Sequence, residues 1–156
     1  MTTLDANGQD PETFASKLAE TLQDASIKGP IQCLNVYKFR EVAEYPEDFE
    51  GEKAPPGTSG RDAHKFYLKK VNDMYTKKFG GRMLYYGDRS TRFPVLFASD
   101  QHFDGYDALA LMEYESAGAM LAMLTSEDYQ AVSRVAGLKY QTWSAFQRDS
   151  DVPQCE

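Results

Sequence analysis

Apolar and polar residues alternate most regularly in residues 31–39, directly after the chain-breaking pair Gly29-Pro30. This alternation predicts a strand. Five side chains would share one of its faces: Ile31, Cys33, Asn35, Tyr37 and Phe39. Leu34 and Val36 would lie on the other face, so we expect both faces to be covered in the folded protein.

Helical spacing of apolar residues marks three further segments. The first follows Asp10-Pro11-Glu12 and predicts an N-terminal helix of about four turns. The second opens at Ser59, three residues before Asp62 as in a capping box, and ends at Gly80-Gly81. The third is capped by Ser116, restarts at Thr125 and runs to Gly137. The second helix should turn five side chains inward: Phe66, Tyr67, Val71, Met74 and Tyr75.

Three more strands are predicted at 82–86, 106–113 and 138–146, with a weaker one at 94–98 inside an elaborated hairpin over 88–104. Without the weaker strand, the order strand, helix, strand, strand, helix, strand is ferredoxin-like and implies an α+β fold with an antiparallel sheet. Both helices would cover one face of that sheet, and a second copy of the chain is the simplest cover for the other. We therefore predict a homodimer.

The chain divides into an N-terminal helical extension at 1–28, a domain at 29–147 and a tail at 148–156. Within the domain, residues 41–60 form an acidic connection with several Pro and Gly. It is far longer than the usual connection of about 4 to 6 residues. Loops of this length often act as lids, and we expect this one to close over a site.

Composition narrows the classes of function. The 156 residues suit one domain with one core, and a net charge of −7 argues against nucleic acid as a partner. Cys33 and Cys155 lack the close spacing of a zinc site or redox pair, which predicts free thiols in a reducing compartment. Because no apolar stretch approaches the roughly 20 residues that span a bilayer, we expect a cytoplasmic protein without membrane contact.

Several short motifs occur in an order that resembles a known family. They are Gly29-Pro30, Leu34-Asn35, Lys38-Phe39-Arg40-Glu41, Tyr45-Pro46, Ser59-Gly60-Arg61-Asp62-Ala63, Phe79-Gly80-Gly81-Arg82, Glu113-Tyr114-Glu115-Ser116 and Glu127-Asp128-Tyr129-Gln130-Ala131. Over residues 29–147 the chain resembles the family numbered thirteen-thirty among the domains of unknown function, within the dimeric α+β barrel superfamily. The resemblance implies that two sheets pair into a barrel. The wider superfamily includes cofactor-free monooxygenases, cyclases, isomerases and haem enzymes, and fold analogy does not choose among them.

The sequence departs from that family at two places that bear on chemistry. Ser133-Arg134 stands where relatives often carry His-Arg, and His64 stands where an ordinary helix residue is common. The loops at 41–60 and 88–104 are also longer than is typical of the family. For these reasons a substrate shared by the family is not carried over to this chain.

Asn35, Tyr37 and His64 are the candidate catalytic residues. Asn35 and Tyr37 share a strand face, where a buried amide needs partners and could orient a ligand oxygen; the alternative is an amide satisfied by its neighbours. His64 lies at the start of the second predicted helix, one turn before Tyr67. It could be a general base, and the alternative is a partly exposed helix residue.

Aromatic residues with one or two fixed cations would complete a pocket for a planar, oxygenated small molecule. We expect its lining to include Arg40, Tyr67, Arg82, Tyr86, Tyr114, Arg134 and Trp143. The alternative is that the many rings serve only a core and a dimer interface. No helix carries histidines at metal-ligand spacing or one suited to a haem, so we predict no metal and no other cofactor.

Two functions remain open. The first is a homodimeric, cofactor-independent enzyme, an isomerase, cyclase or monooxygenase acting on a phenolic or enolisable compound. In it, Asn35 and Tyr37 would position the substrate, His64 or a tyrosine would transfer a proton, and Arg40 or Arg82 would stabilise negative charge. The second is a non-catalytic module that binds a small molecule or a partner.

Overall fold

The structure is a computed structural model, and it describes residues 20, 23, 27–89, 106–132 and 136–147. Within them the chain forms seven elements. They are β1 (Ile31–Phe39), α1 (Gly60–Lys78), β2 (Gly81–Asp88), β3 (Ala108–Tyr114), α2 (Ala117–Leu124), α3 (Glu127–Gln130) and β4 (Leu138–Phe146). The predicted N-terminal helix, the weak strand at 94–98 and the tail at 148–156 lie outside these residues.

The four strands form one antiparallel sheet in the order β2-β3-β1-β4. This is the ferredoxin-like arrangement, so the predicted α+β fold is confirmed. The predicted limits of β1 and β4 agree with those observed. β3 begins two residues later than predicted, and β2 extends two residues further.

Capping and burial account for α1. The Ser59 hydroxyl accepts a hydrogen bond from the Asp62 amide at 3.1 Å, and Gly80, at φ +60°, lets the chain turn out of the helix. Tyr67 and Val71 are buried as predicted, because they face β1 and β3 within the main core cluster. Phe66 and Met74 are half-buried. The helix therefore fixes one wall of the space above the sheet.

Among the described residues, the helices cover one face of the sheet, which we call the inner face. Cys33, Asn35 and Tyr37 alternate onto it from β1 and are buried, as predicted. The opposite, outer face carries large apolar side chains that remain exposed in the single chain: Leu109 (37%), Phe146 (50%), Tyr140 (54%) and Tyr85 (58%). Leu34 and Val36 are half-buried there, so the described part of the chain buries β1 fully on one face only.

Residues 41–59, predicted to be a lid, form a loop anchored to the domain. The Ala43 amide donates to the Thr58 carbonyl and the Glu44 amide donates to the Ala136 carbonyl, each at 2.9 Å. Inside the loop, the Tyr45 hydroxyl accepts from the Ala54 amide at 2.8 Å. Movement as a lid would have to break these bonds.

In the described part of the chain, no helix has the length and apolar character needed to cross a membrane.

Candidate active site

The helices and the inner face of the sheet enclose a cavity of about 30 Å³. Five of the predicted site residues line it: Asn35, Tyr37, Tyr67, Tyr114 and Trp143. Leu68, Met112, Met120, Met123, Leu124 and Tyr129 complete its wall. A cavity of this size holds one or two water molecules, since each needs roughly 10–15 Å³. A larger ligand must displace the half-buried side chains in its wall.

The buried amide of Asn35, which lines this cavity, is paired with a second buried amide behind the wall. Asn35 Oδ1 accepts a hydrogen bond from Gln141 Nε2 at 2.8 Å, and the two residues are 7% and 3% exposed. Asn35 is thus satisfied by a neighbour, which was the alternative considered from the sequence, and it also lines the cavity. Gln141 was not predicted. Its position two residues before Trp143 places both on the same strand face, and that spacing was the available signal.

His64 is buried and surrounded by rings. It is 1% exposed, so the alternative of a partly exposed helix residue is wrong. Its ring centroid lies 4.4 Å from that of Tyr37, 5.4 Å from Phe39 and 5.5 Å from Tyr67. Because Tyr37 and Tyr67 line the cavity and His64 does not, His64 lies one layer behind the cavity wall.

Two phenols meet at another part of the wall. The hydroxyls of Tyr67 and Tyr129 are 3.2 Å apart and share a hydrogen bond. Tyr129 was predicted only as a helix residue, but the short helix α3 brings it over α1. Two tyrosine hydroxyls at a small cavity can bind a ligand oxygen or a water molecule.

The predicted cations lie elsewhere. Arg82 is on the outer face, paired with Glu113 at 2.7 Å, and Arg40 is paired with Glu44 at 2.7 Å beyond the end of β1. Neither lines the cavity, because each has a carboxylate partner outside it. The predicted role of these two residues in substrate binding stays a prediction. Arg134 lies outside the described residues.

Tyr86 faces the inner side but misses the cavity. It pairs with Ala110, which separates it from Asn35, and packs against the second core cluster around Tyr37 and Phe39. Burial raises the pKa of its phenol, and the positive charge of Arg61 opposes that shift.

Cys33 lies under the cavity beside Met120, with the two sulfur atoms 3.7 Å apart. Burial raises the pKa of its thiol from 9.0 to about 12. The thiolate, the reactive form, is therefore suppressed at neutral pH, and Cys33 is a packing residue rather than a nucleophile.

We expect the Cys33 thiol to resist a disulfide reagent such as 5,5′-dithiobis(2-nitrobenzoate) at pH 8 in the folded protein and to react fully after unfolding in guanidinium. A Cys155→Ser background leaves Cys33 as the only reporter, because the chain has two cysteines. Rapid reaction of the folded variant would contradict the burial seen here.

The outer face carries a larger groove of about 350 Å³. Leu34, Val36 and Leu109 form its apolar floor, and Asp88, Arg89 and Asp107 bring charge to its rim. Asp107 also pairs with Lys38 at 3.2 Å. This groove lies on the sheet face that the helices leave open.

The described residues, with their gaps at 90–105 and 133–135, bring together no group of three His, Cys, Asp or Glu side chains that could hold a metal ion.

No family model and no curated protein matches this chain. The solved structures that resemble it include two of RPA0582. The crystal structure of methylated RPA0582 protein has a TM-score of 0.68 at 20% identity and covers 96% of this chain and 98% of its own. RPA0582 from Rhodopseudomonas palustris, described as a protein of unknown function, has a TM-score of 0.66 at 20% identity and covers 96% and 99%. At this identity the likeness shows the fold alone.

Proposed function

We propose that this chain is a homodimeric, cofactor-independent small-molecule enzyme that acts on a phenolic or enolisable compound in the cavity lined by Asn35. The observation that carries this proposal is the buried amide pair at an aromatic cavity. A buried polar pair contributes less to folding than an apolar pair of the same shape can, so a ligand-binding role gives a reason for it. We also propose that the chain belongs to the family of domains of unknown function numbered thirteen-thirty and that it is located in the cytoplasm.

The residues around the cavity suggest roles for this chemistry. Asn35 can donate an N–H to a substrate oxygen on which negative charge develops, and preorganised donors of this kind commonly contribute the largest share of catalysis. Tyr37 supplies a hydroxyl for proton transfer at the cavity, whereas His64 acts from behind Tyr37 and Tyr67. The rings of Tyr114 and Trp143 would hold a planar substrate.

Native mass spectrometry of the purified protein, with release and identification of any bound molecule, tests this proposal and supplies a substrate class to assay. In that assay, Tyr37→Phe should lower kcat at least 100-fold, because general acid–base catalysis typically contributes 10²- to 10⁴-fold. The matched control is Tyr140→Phe, which removes a hydroxyl from the outer face and should leave kcat unchanged. Equal rates for wild type and Tyr37→Phe would remove Tyr37 from the mechanism.

The proposed dimer uses the outer face of the sheet. The exposed rings of Tyr85, Tyr140 and Phe146 and the groove around Leu109 give it an apolar surface suited to a second sheet. In a twofold dimer each exposed residue contributes twice, so a single substitution acts at two places.

We expect Leu109→Lys to weaken the dimer about 100-fold or more, because it buries two unpaired charges in an apolar interface. Sedimentation velocity over a concentration series measures the change. The matched control is Val42→Lys, which replaces a 48% exposed apolar residue in the 41–59 loop and should leave the dimer intact. An unchanged dimer in Leu109→Lys would exclude this face as the interface.

A second candidate is a non-catalytic binding module, and the outer groove favours it. At about 350 Å³ it has the volume of a small-molecule site, whereas the inner cavity does not until side chains move. A released molecule whose binding is lost in Leu109→Lys, retained in Tyr37→Phe and never followed by turnover would support this module over the enzyme.

A further inference from the structure

The amide pair fixes which way Asn35 presents its side chain. Asn35 lies opposite Trp143 in the β1–β4 ladder, and Gln141 lies opposite Tyr37, so the two amides are diagonal neighbours on the inner face. The longer Gln141 side chain spans the diagonal and donates to Asn35 Oδ1 at 2.8 Å. The acceptor atom of Asn35 is therefore occupied from the β4 side.

A second, longer contact favours the same orientation of the Asn35 amide. Its Nδ2 lies 3.5 Å from the Cys33 carbonyl oxygen, at the outer limit of a hydrogen bond. Turning the amide over would place its oxygen against that carbonyl oxygen and would set two N–H donors against each other at Gln141. The arrangement with the NH₂ group beside Cys33 is therefore the one that both neighbours favour.

Gln141 already engages one lone pair of the Asn35 oxygen, so the NH₂ group, which has only one long contact, is the group of this amide best able to bind a ligand. One N–H points toward the Cys33 carbonyl over that long contact, and an NH₂ group carries two hydrogens. Because Asn35 lines the cavity, the second hydrogen of this NH₂ group is available to donate to a molecule there.

We infer that Gln141 is a positioning residue that fixes Asn35 as a hydrogen-bond donor, and that the cavity selects ligands with a carbonyl, enolate or phenolate oxygen at that point. This inference rests on the proposed function and names its substrate class. Gln141 is 3% exposed and does not line the cavity, so it acts through Asn35.

The test compares two probes of the same shape, acetophenone and α-methylstyrene, which differ by a carbonyl oxygen in place of a methylene group. Affinities for the full-length protein are measured by ligand-observed NMR titration. The wild type should prefer acetophenone about fivefold, within the two- to tenfold range of a neutral hydrogen bond. Thermal unfolding confirms that each variant is folded.

Two substitutions should remove this preference by different routes. Gln141→Leu removes the donor that holds Asn35, so the amide can rotate. Gln141→Glu keeps the shape but introduces a carboxylate that attracts the Asn35 NH₂ group away from the cavity. In both variants the affinity ratio should fall to about one, while α-methylstyrene affinity changes less than twofold. A merely structural role for Gln141 would change both affinities together.

The outcomes distinguish a failure of the role inferred for Gln141 from a failure of the proposed function. An acetophenone preference that persists in both variants, or that the wild type lacks while binding both probes, overturns the role of Gln141 and leaves the cavity in place. Failure of the wild type to bind either probe overturns the role of this cavity as a ligand site, and with it both the inference and the proposed enzyme.

Discussion

Replacing Gly60 by alanine is expected to destabilise the domain by about 3 kcal/mol or more, a cost at the upper end of overpacking in a core. A methyl carbon at Gly60 would lie 2.5 Å from the carbonyl oxygens of Arg40 and Gly137 and 2.7 Å from the Arg40 amide nitrogen. All three are backbone atoms of β1, β4 or their ends, so no side chain can rotate away. The Gly60 amide also donates to the Arg40 carbonyl at 3.2 Å, and this bond would be strained.

Gly118→Ala is the matched control. Gly118, like Gly60, lies in the first turn of a helix capped by a serine, here Ser116. Its added methyl would meet only the Ser116 hydroxyl, at 3.8 Å, which is an ordinary contact. Because alanine favours a helix over glycine by about 1 kcal/mol, this variant should be as stable as wild type or more stable. Urea unfolding of both variants measures the difference, and equal stability would contradict the close approach of α1 to the sheet.

The sequence predicted β1 and β4 well because each follows a chain-breaking glycine, in Gly29-Pro30 and at Gly137, and because β1 alternates regularly. It misplaced the start of β3 because the first predicted residues take part in other bonds. The Asp107 amide donates to the Tyr37 carbonyl at 2.7 Å, and its carboxylate accepts from the Phe39 amide at 3.0 Å. A side chain thus replaces the ladder at this end, and local alternation carries no trace of it.

β2 extends further than predicted for the converse reason. Gly87-Asp88 looks like the start of a turn, but β3 offers Leu109 and Ala108 as partners, and pairing overrides the local preference. The predictions at the ends of strands therefore depended on contacts between distant parts of the chain.

The alternation within a single strand predicted the site residues that lie on β1. It could not predict the contact between two strands. Asn35 and Tyr37 follow from alternation within β1. The Asn35–Gln141 bond depends on the register between β1 and β4, which no single segment encodes. The position of Arg82 depends on a neighbouring strand in the same way: its partner Glu113 is on β3, and that pairing keeps it on the outer face.

The sequence predicted the place of His64 on α1 but not its burial, which again depends on contacts with other elements. Because His64 is buried, its substitution is expected to have the second large effect on stability. We expect His64→Ala to lower stability by about 3 kcal/mol, because it removes a ring packed against Tyr37, Phe39 and Tyr67. For a domain of this size that corresponds to a fall in Tm of roughly 6–12 °C by calorimetry.

His64→Phe separates the ring from its nitrogens. It keeps an aromatic ring between the same three neighbours, so if packing is the main role of His64, this variant should recover more than half of the stability lost in His64→Ala. A loss as large as that of alanine would mean that the imidazole nitrogens, rather than the ring, hold the residue in place. In that case His64 becomes a polar partner of the tyrosines at the cavity wall, and proton transfer by Tyr37 should depend on it. Calorimetry on the two variants therefore decides, before any substrate is known, whether His64 belongs to the core or to the chemistry.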